Sequence, residues 1–118
     1  MAAEKDFRYV VLMDIYGGML TEKQAVALDY YYSNDYSLAE IAELMDITRQ
    51  GARDFIKRGE MILDDADIKL GLYDRFRRLD TIRGCAAKIL EDENSTNEIN
   101  ILAEKIIKEA DQIQNGER

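Results

Sequence analysis

The chain has no proline, no histidine, no tryptophan and one cysteine in 118 residues. Without proline, no position removes a backbone N–H or drives a ring into the preceding helical turn. Without histidine, the usual zinc-finger ligand sets and every imidazole general base are excluded. A lone thiol, Cys85, cannot close an intramolecular disulfide; set among apolar residues, it reads as a small core residue. The apolar run near the N-terminus, in "MAAEKDFRYVVLMDIY", has charges on both sides. It is too short to span a bilayer and lacks a cleavage pattern, so a cytoplasmic protein without membrane contact is expected. No glycine-rich phosphate loop, serine elbow or paired carboxylates appear, and Asp14 stands in its apolar segment without a base or metal partner. The reading is a non-enzyme with no cofactor and no metal.

What remains is rich in helix formers. Hydrophobic residues make up 47% and charged residues 34%, enough apolar material for a core. Glycines are few and sit mostly at segment ends, so the expected fold is all-α. A first helix over Asp6 to Tyr16 carries Phe7, Val10, Val11 and Ile15 on one face, and Gly17-Gly18 should end it in the left-handed conformation. Thr21 caps a second helix reaching about Ser33. A fifth helix presents Leu72, Phe76, Leu79, Ile82, Ala86, Ile89 and Leu90. A sixth, capped by Ser95 or Thr96, presents Ile99, Leu102, Ile106, Ala110 and Ile113. Its isoleucines recur every seven residues, a seam suited to another helix from within the chain or from a second copy. A bend is expected around Asp64 to Lys69. That divides the chain into residues 1–65, a leading helix plus core, and 66–118, a helical extension expected to dimerise.

The stretch "SLAEIAELMDITRQGARDFIKRGEMIL", residues 37–63, carries the clearest local signature. Ser37 and Glu40 form the S-x-x-E capping box of a short helix. Leu38, Ile41, Ala42 and Met45 are its buried stripe. A turn follows, and Thr48 caps a helix whose Ala52, Phe55, Ile56, Gly59, Ile62 and Leu63 should face inward. This is a helix-turn-helix, whose second helix offers its first residues to a nucleic-acid groove. Arg49, Gln50 and Arg53 are those residues: arginine can bond guanine, and glutamine adenine, in bidentate fashion. Lys57 and Arg58 extend the basic character. The plain alternative is a solvated helix face paired with Asp54 or Glu60.

Residues 20–63 resemble region 4 of bacterial sigma factors, in the Leu-Thr opening, Ser-Leu-x-Glu-Ile-Ala and Ile-Thr-Arg. Ala52 stands where that family usually has a larger aliphatic. A resemblance over nearly the whole chain is to the YlxM family, small helical proteins associated with the bacterial signal recognition particle. It rests on "LTEKQ", "LDYYYSNDYSLAEIAE" and the run Thr48, Arg49, Gln50, Asp54, Ile56, Lys57, Arg58 and Glu60. The resemblance implies a regulatory or adaptor protein of the protein-targeting pathway, with the particle's GTPase and its RNA as partners. The alternative is a small transcription regulator reading duplex DNA with the helix that starts at Thr48. Either could act as a homodimer.

Charge bears on that choice. The formal net charge is −8, which opposes non-specific attachment to polyanions. Basic residues concentrate at Arg49–Arg58 and again at Arg75, Arg77, Arg78, Arg83 and Lys88. A focused patch between acidic flanks suits weak or partner-assisted contact more than a grip on long duplex. In "YDRFRRL", Arg75, Arg77 and Arg78 could hold RNA phosphates beside Tyr73; alternatively Phe76 and Leu79 are core, with Asp74 and Asp80 pairing the arginines. Tyr30, Tyr31, Tyr32 and Tyr36 are expected to pack in part, leaving others for an interface. "DDADIKLG" is not a calcium loop: counted from Asp65, Lys69 and Leu70 occupy the positions that need an oxygen ligand and glycine.

Overall fold

A computed structural model describes residues 5–116, and among them there are six α-helices and no strand. They are α1 (Arg8–Tyr16), α2 (Glu22–Leu28), α3 (Leu38–Met45), α4 (Arg49–Leu70), α5 (Leu72–Glu91) and α6 (Asn97–Asn115). The chain divides into two compact units, residues 1–73 and 74–118.

In the first unit, α1, α2 and α3 all pack on α4. The core is Leu12 and Tyr16 from α1, Ala27 and Leu28 from α2, Tyr32, Ile41 and Ala42, and a stripe of α4 comprising Ala52, Ile56, Leu63 and Ala66. The expected face of α1 is corrected: Phe7 and Val11 are exposed, and Leu12 and Tyr16 are inside. The segment is apolar nearly all round, so periodicity does not single out a side. Gly17 and Gly18 do not take the left-handed conformation; Gly17–Met19 form a turn of 3₁₀-helix that tightens the end of α1.

Thr21 begins α2 with a reciprocal box, its hydroxyl accepting from Gln24 N–H while Gln24 Oε1 accepts from Thr21 N–H at 3.0 Å. The helix then widens into a π-helical turn over Asp29–Ser33. That turn sends Tyr32 into the core and leaves Tyr30 and Tyr31 half-buried, so the tyrosine run both packs and faces out, as expected. The α3 box at Ser37 and Glu40 is present. Asp46 follows in the left-handed region (φ 54°), and Ile47 N–H returns to the Ala42 carbonyl at 2.9 Å, which turns the chain sharply into α4.

The bend expected at Asp64 to Lys69 is not there: α4 is continuous to Leu70, and the break lies at Gly71, whose φ of 65° favours glycine. Two acidic residues of that stretch, Asp64 and Asp67, are structural, as is Glu60 before it. Tyr32, Tyr9 and Tyr16 donate phenol hydrogen bonds to Glu60 (2.6 Å), Asp64 (2.7 Å) and Asp67 (2.7 Å), three carboxylates along one side of α4. Asp67 also accepts from Tyr73 N–H at 3.1 Å, tying the start of α5 to the end of α4. Sequence periodicity loosens there because the inward-facing groups are carboxylates, made satisfiable by tyrosines distant in sequence.

The second unit contains most of α5 and all of α6. Thr96 caps α6 through Ile99 N–H, and Arg83 on α5 bonds Asp111 on α6 at 3.0 Å. Its buried side chains are Ala86, Ala103 and Ala110. Cys85, expected inside, is exposed; it sits one position before Ala86 and therefore points about 100° away from it around the helix. Ile99, Ile106 and Ile113 are exposed too. No described helix is long and apolar enough to cross a membrane.

Candidate nucleic-acid interface

Helices α3 and α4, with the turn between them, form the helix-turn-helix. Thr48 Oγ1 accepts from Gly51 N–H at 2.9 Å, which satisfies one of the free donors of the first turn. A Cβ at Gly51 would lie 3.2 Å from that same oxygen, so glycine leaves the cap undisturbed. Gly59 lets α4 approach α2 closely: a Cβ there would fall 2.5 Å from Leu28 Cδ1. Capping and close approach together fix where the basic side chains of α4 emerge.

Those side chains fall on two neighbouring stripes. Arg49, Arg53 and Lys57 line one wall of a cleft of about 650 Å³. Its opposite wall carries Lys5, Tyr9 and Tyr31, with the start of α3 closing one end. Gln50 lies on the second stripe, where its Nε2 donates to Asp54 Oδ1 at 3.0 Å. Arg58 is exposed and does not line the cleft. The three residues expected to read bases are thus separated: two arginines border the cleft, while the glutamine is engaged by a carboxylate.

Among the described residues neither Arg49, Arg53 nor Arg58 has an ion-pair partner, whereas Lys57 lies 3.7 Å from Glu60. Glu60 sits at the floor of the cleft, bonded by Tyr32. Burial, with that carboxylate beside it, pushes the Tyr32 phenol far above its ordinary range; burial and Asp64 push Tyr9 up to about 12. Both phenols therefore stay neutral donors at any physiological pH.

Lys5 organises the far wall. Its ammonium donates to the carbonyls of Tyr31 (2.8 Å) and Tyr36 (2.9 Å), to Asp35 (2.9 Å), and lies 4.0 Å from the Tyr31 ring centre. Sequence reasoning misses it, because nothing local marks it and its partners lie 26 to 31 residues away.

The second basic group belongs to the other unit. Arg78 bonds Asp74 at 2.9 Å, holding that carboxyl below its usual range, and Arg83 pairs with Asp80. Arg75 and Arg77 are exposed and form no ion pair among the described residues, although the charge of Arg77 also acts on Asp74, and Phe76 and Leu79 are half-buried. Among the described residues no cluster of three acidic or thiol side chains is placed to hold a metal.

Comparison with known proteins settles the family. The profile described as "Putative helix-turn-helix protein, YlxM / p13 like" matches residues 3–110. The chain belongs to this UPF0122 family. A UPF0122 protein of Thermoanaerobacter sp. strain X514 is 39% identical over 115 residues, covering 93% of this chain and 97% of its own. One from Streptococcus mutans is 42% identical over 103 residues, covering 86% and 94%. One from Acetivibrio thermocellus is 45% identical over 92 residues, covering 78% and 76%. UPF0122 membership agrees with the helix-turn-helix seen at α3 and α4, and the match extends through most of α6.

Proposed function

We propose that this UPF0122 protein is a regulatory or adaptor protein of the cytosolic signal recognition particle pathway. Its helix-turn-helix serves as a scaffold that contacts the particle's RNA, its GTPase, or both. The supporting observation is the cleft. In a chain of net charge −8, Arg49 and Arg53 have no carboxylate partner among the described residues and face tyrosines across a concave surface. Structured RNA offers phosphates at bulges and loops, where unstacked bases can be held between cations and aromatic rings. A regular duplex is read in its major groove, which calls for a projecting helix.

The two arginines in the first turns of α4 also fit a second reading, a transcription regulator reading duplex DNA. Binding of the purified protein to the particle RNA, to the GTPase and to random-sequence duplex DNA, at low and near-physiological salt, separates the two. Saturable binding to RNA or GTPase that persists at physiological salt, with duplex binding abolished, is the expected result. Preference for duplex DNA with neither particle component bound would overturn it.

A further inference from the structure

The second unit has an apolar surface that its own chain leaves open. Leu79 and Ile82 of α5 and Leu102, Ile106, Ala110 and Ile113 of α6 line a groove of about 470 Å³. Leu102 is 61% exposed, Ile113 57%, Ile82 50% and Ile106 41%. The residues that the unit does bury are alanines, at 86, 103 and 110. Helix α6 thus has two stripes with the same seven-residue repeat. A small-residue stripe, Ala103 and Ala110, is inside; a large aliphatic stripe, Ile99, Ile106 and Ile113, is outside. Three buried methyl groups, with Phe76, Leu79, Leu90 and Ile107 only half-buried, do little to offset the conformational entropy of ordering two helices of about twenty residues. The large stripe is what could stabilise them, and it works only when covered.

The rim indicates what covers it. Lys105 and Glu109 border the groove one helical turn apart, and neither has an ion-pair partner among the described residues. A rim carrying both signs is complementary to itself. A two-fold axis crossing α6 near Ile107 sets Lys105 of one copy against Glu109 of the other, twice. It also places the Leu102 end of each groove against the Ile113 end of its mate. That is the isologous arrangement in which one patch serves both sides. The seven-residue spacing is what helix-to-helix packing requires.

We propose that this groove is the self-association surface of the protein: two copies pack α5 and α6 together into an antiparallel four-helix bundle. The groove shares no residue with the cleft beside α4, so pairing does not depend on which ligand that cleft takes. Its functional consequence is bivalency, since each assembly carries two helix-turn-helix units and the second binding event becomes intramolecular.

The test is the mass of the full chain in solution across a concentration series, by light scattering and sedimentation equilibrium. The expected mass is twice the 13.6 kDa of one chain. Lys105→Glu and Glu109→Lys should each weaken self-association by at least about tenfold, because each creates like-charge pairs across the axis. The double variant Lys105→Glu/Glu109→Lys should recover it, and so should an equimolar mixture of the two single variants, because an acidic rim then faces a basic one in both contacts across the axis. Ile106→Glu should give a monomer that retains its helical circular dichroism; if it loses helicity, the charge-reversal set decides, since both residues are exposed. A monomer at every concentration overturns the proposal, even if some other protein is found on the groove. So does self-association that the single reversals leave unchanged or that the double variant fails to restore.

Discussion

Gly59→Ala tests whether the α2–α4 crossing is set by the missing side chain. In a solvent-facing helix interior, this change stabilises by about 1 kcal/mol, because alanine loses less backbone freedom on folding. At position 59 the added Cβ meets Leu28 Cδ1 at 2.5 Å and Leu28 Cγ at 3.3 Å. Leu28 is fully buried, so its methyl cannot swing out into solvent and must displace its core neighbours to give way. Overpacking of this kind costs about 1–3 kcal/mol. The net expectation is a destabilisation of up to about 2 kcal/mol, centred near 1. For a unit of this size that lowers Tm by about 4–8 °C per kcal/mol. Gly84→Ala is the matched control: nothing lies within 4 Å of its Cβ, so it should raise stability by about 1 kcal/mol. All seven tyrosines lie at or before residue 73, so tyrosine fluorescence reports unfolding of the first unit, while circular dichroism follows the whole chain. A Gly59→Ala protein that unfolds at or above the wild-type temperature, with Gly84→Ala behaving as expected, would refute the close crossing as the reason for glycine at 59.

Further outcomes follow from the same geometry. Arg49→Ala/Arg53→Ala should weaken nucleic-acid binding and reduce the salt slope by about 1 for each phosphate no longer neutralised; an unchanged salt titration would place the binding surface elsewhere. Tyr16→Phe removes a donor to Asp67 and an acceptor for Leu72 N–H, and should cost about 1–3 kcal/mol by urea denaturation, with the helix-turn-helix side chains untouched. The raised phenol values give alkaline lability. The native state keeps Tyr9 neutral to about pH 12, and Tyr32 beyond that. Unfolded tyrosines ionise near pH 10, so this stability is complete below about pH 10 and disappears as pH rises through the folded value. Absorbance titration should show delayed ionisation in the native protein; seven tyrosines titrating together at their ordinary value would contradict it.

The helix-turn-helix is legible because its signals are local. The Ser37–Glu40 box, the Thr48 cap and the stripe Ala52, Ile56, Gly59 and Leu63 each depend on residues within a few positions of one another. What the sequence conceals depends on distant partners. The face that α1 buries is chosen by what α4 offers it, not by its own nearly uniform apolarity. The continuity of α4 through Asp64 and Asp67 needs tyrosines more than fifty residues earlier. At the candidate interface the cations of α4 are legible by spacing alone. The far wall, with Lys5 across from them, exists only after folding. Cys85 illustrates a narrower difficulty, since neighbouring helical positions differ by about 100° in direction and one place in register decides inside from outside.

The order of charges along α4 has a consequence for how any polyanion must approach. Its first half carries Arg49, Arg53, Lys57 and Arg58 against Asp54, and its second Glu60, Asp64, Asp65 and Asp67 against Lys69. This runs against the helix macrodipole, whose positive end already lies at the start, so the arrangement works against helix stability. The phenols that satisfy three of those carboxylates are neutral and cancel none of their charge. A strand of phosphates laid along the helix would be drawn in at one end and turned away at the other. A polyanion bound along this helix would therefore be confined to a short segment entering from the Thr48 side, its path ending before the third turn is complete.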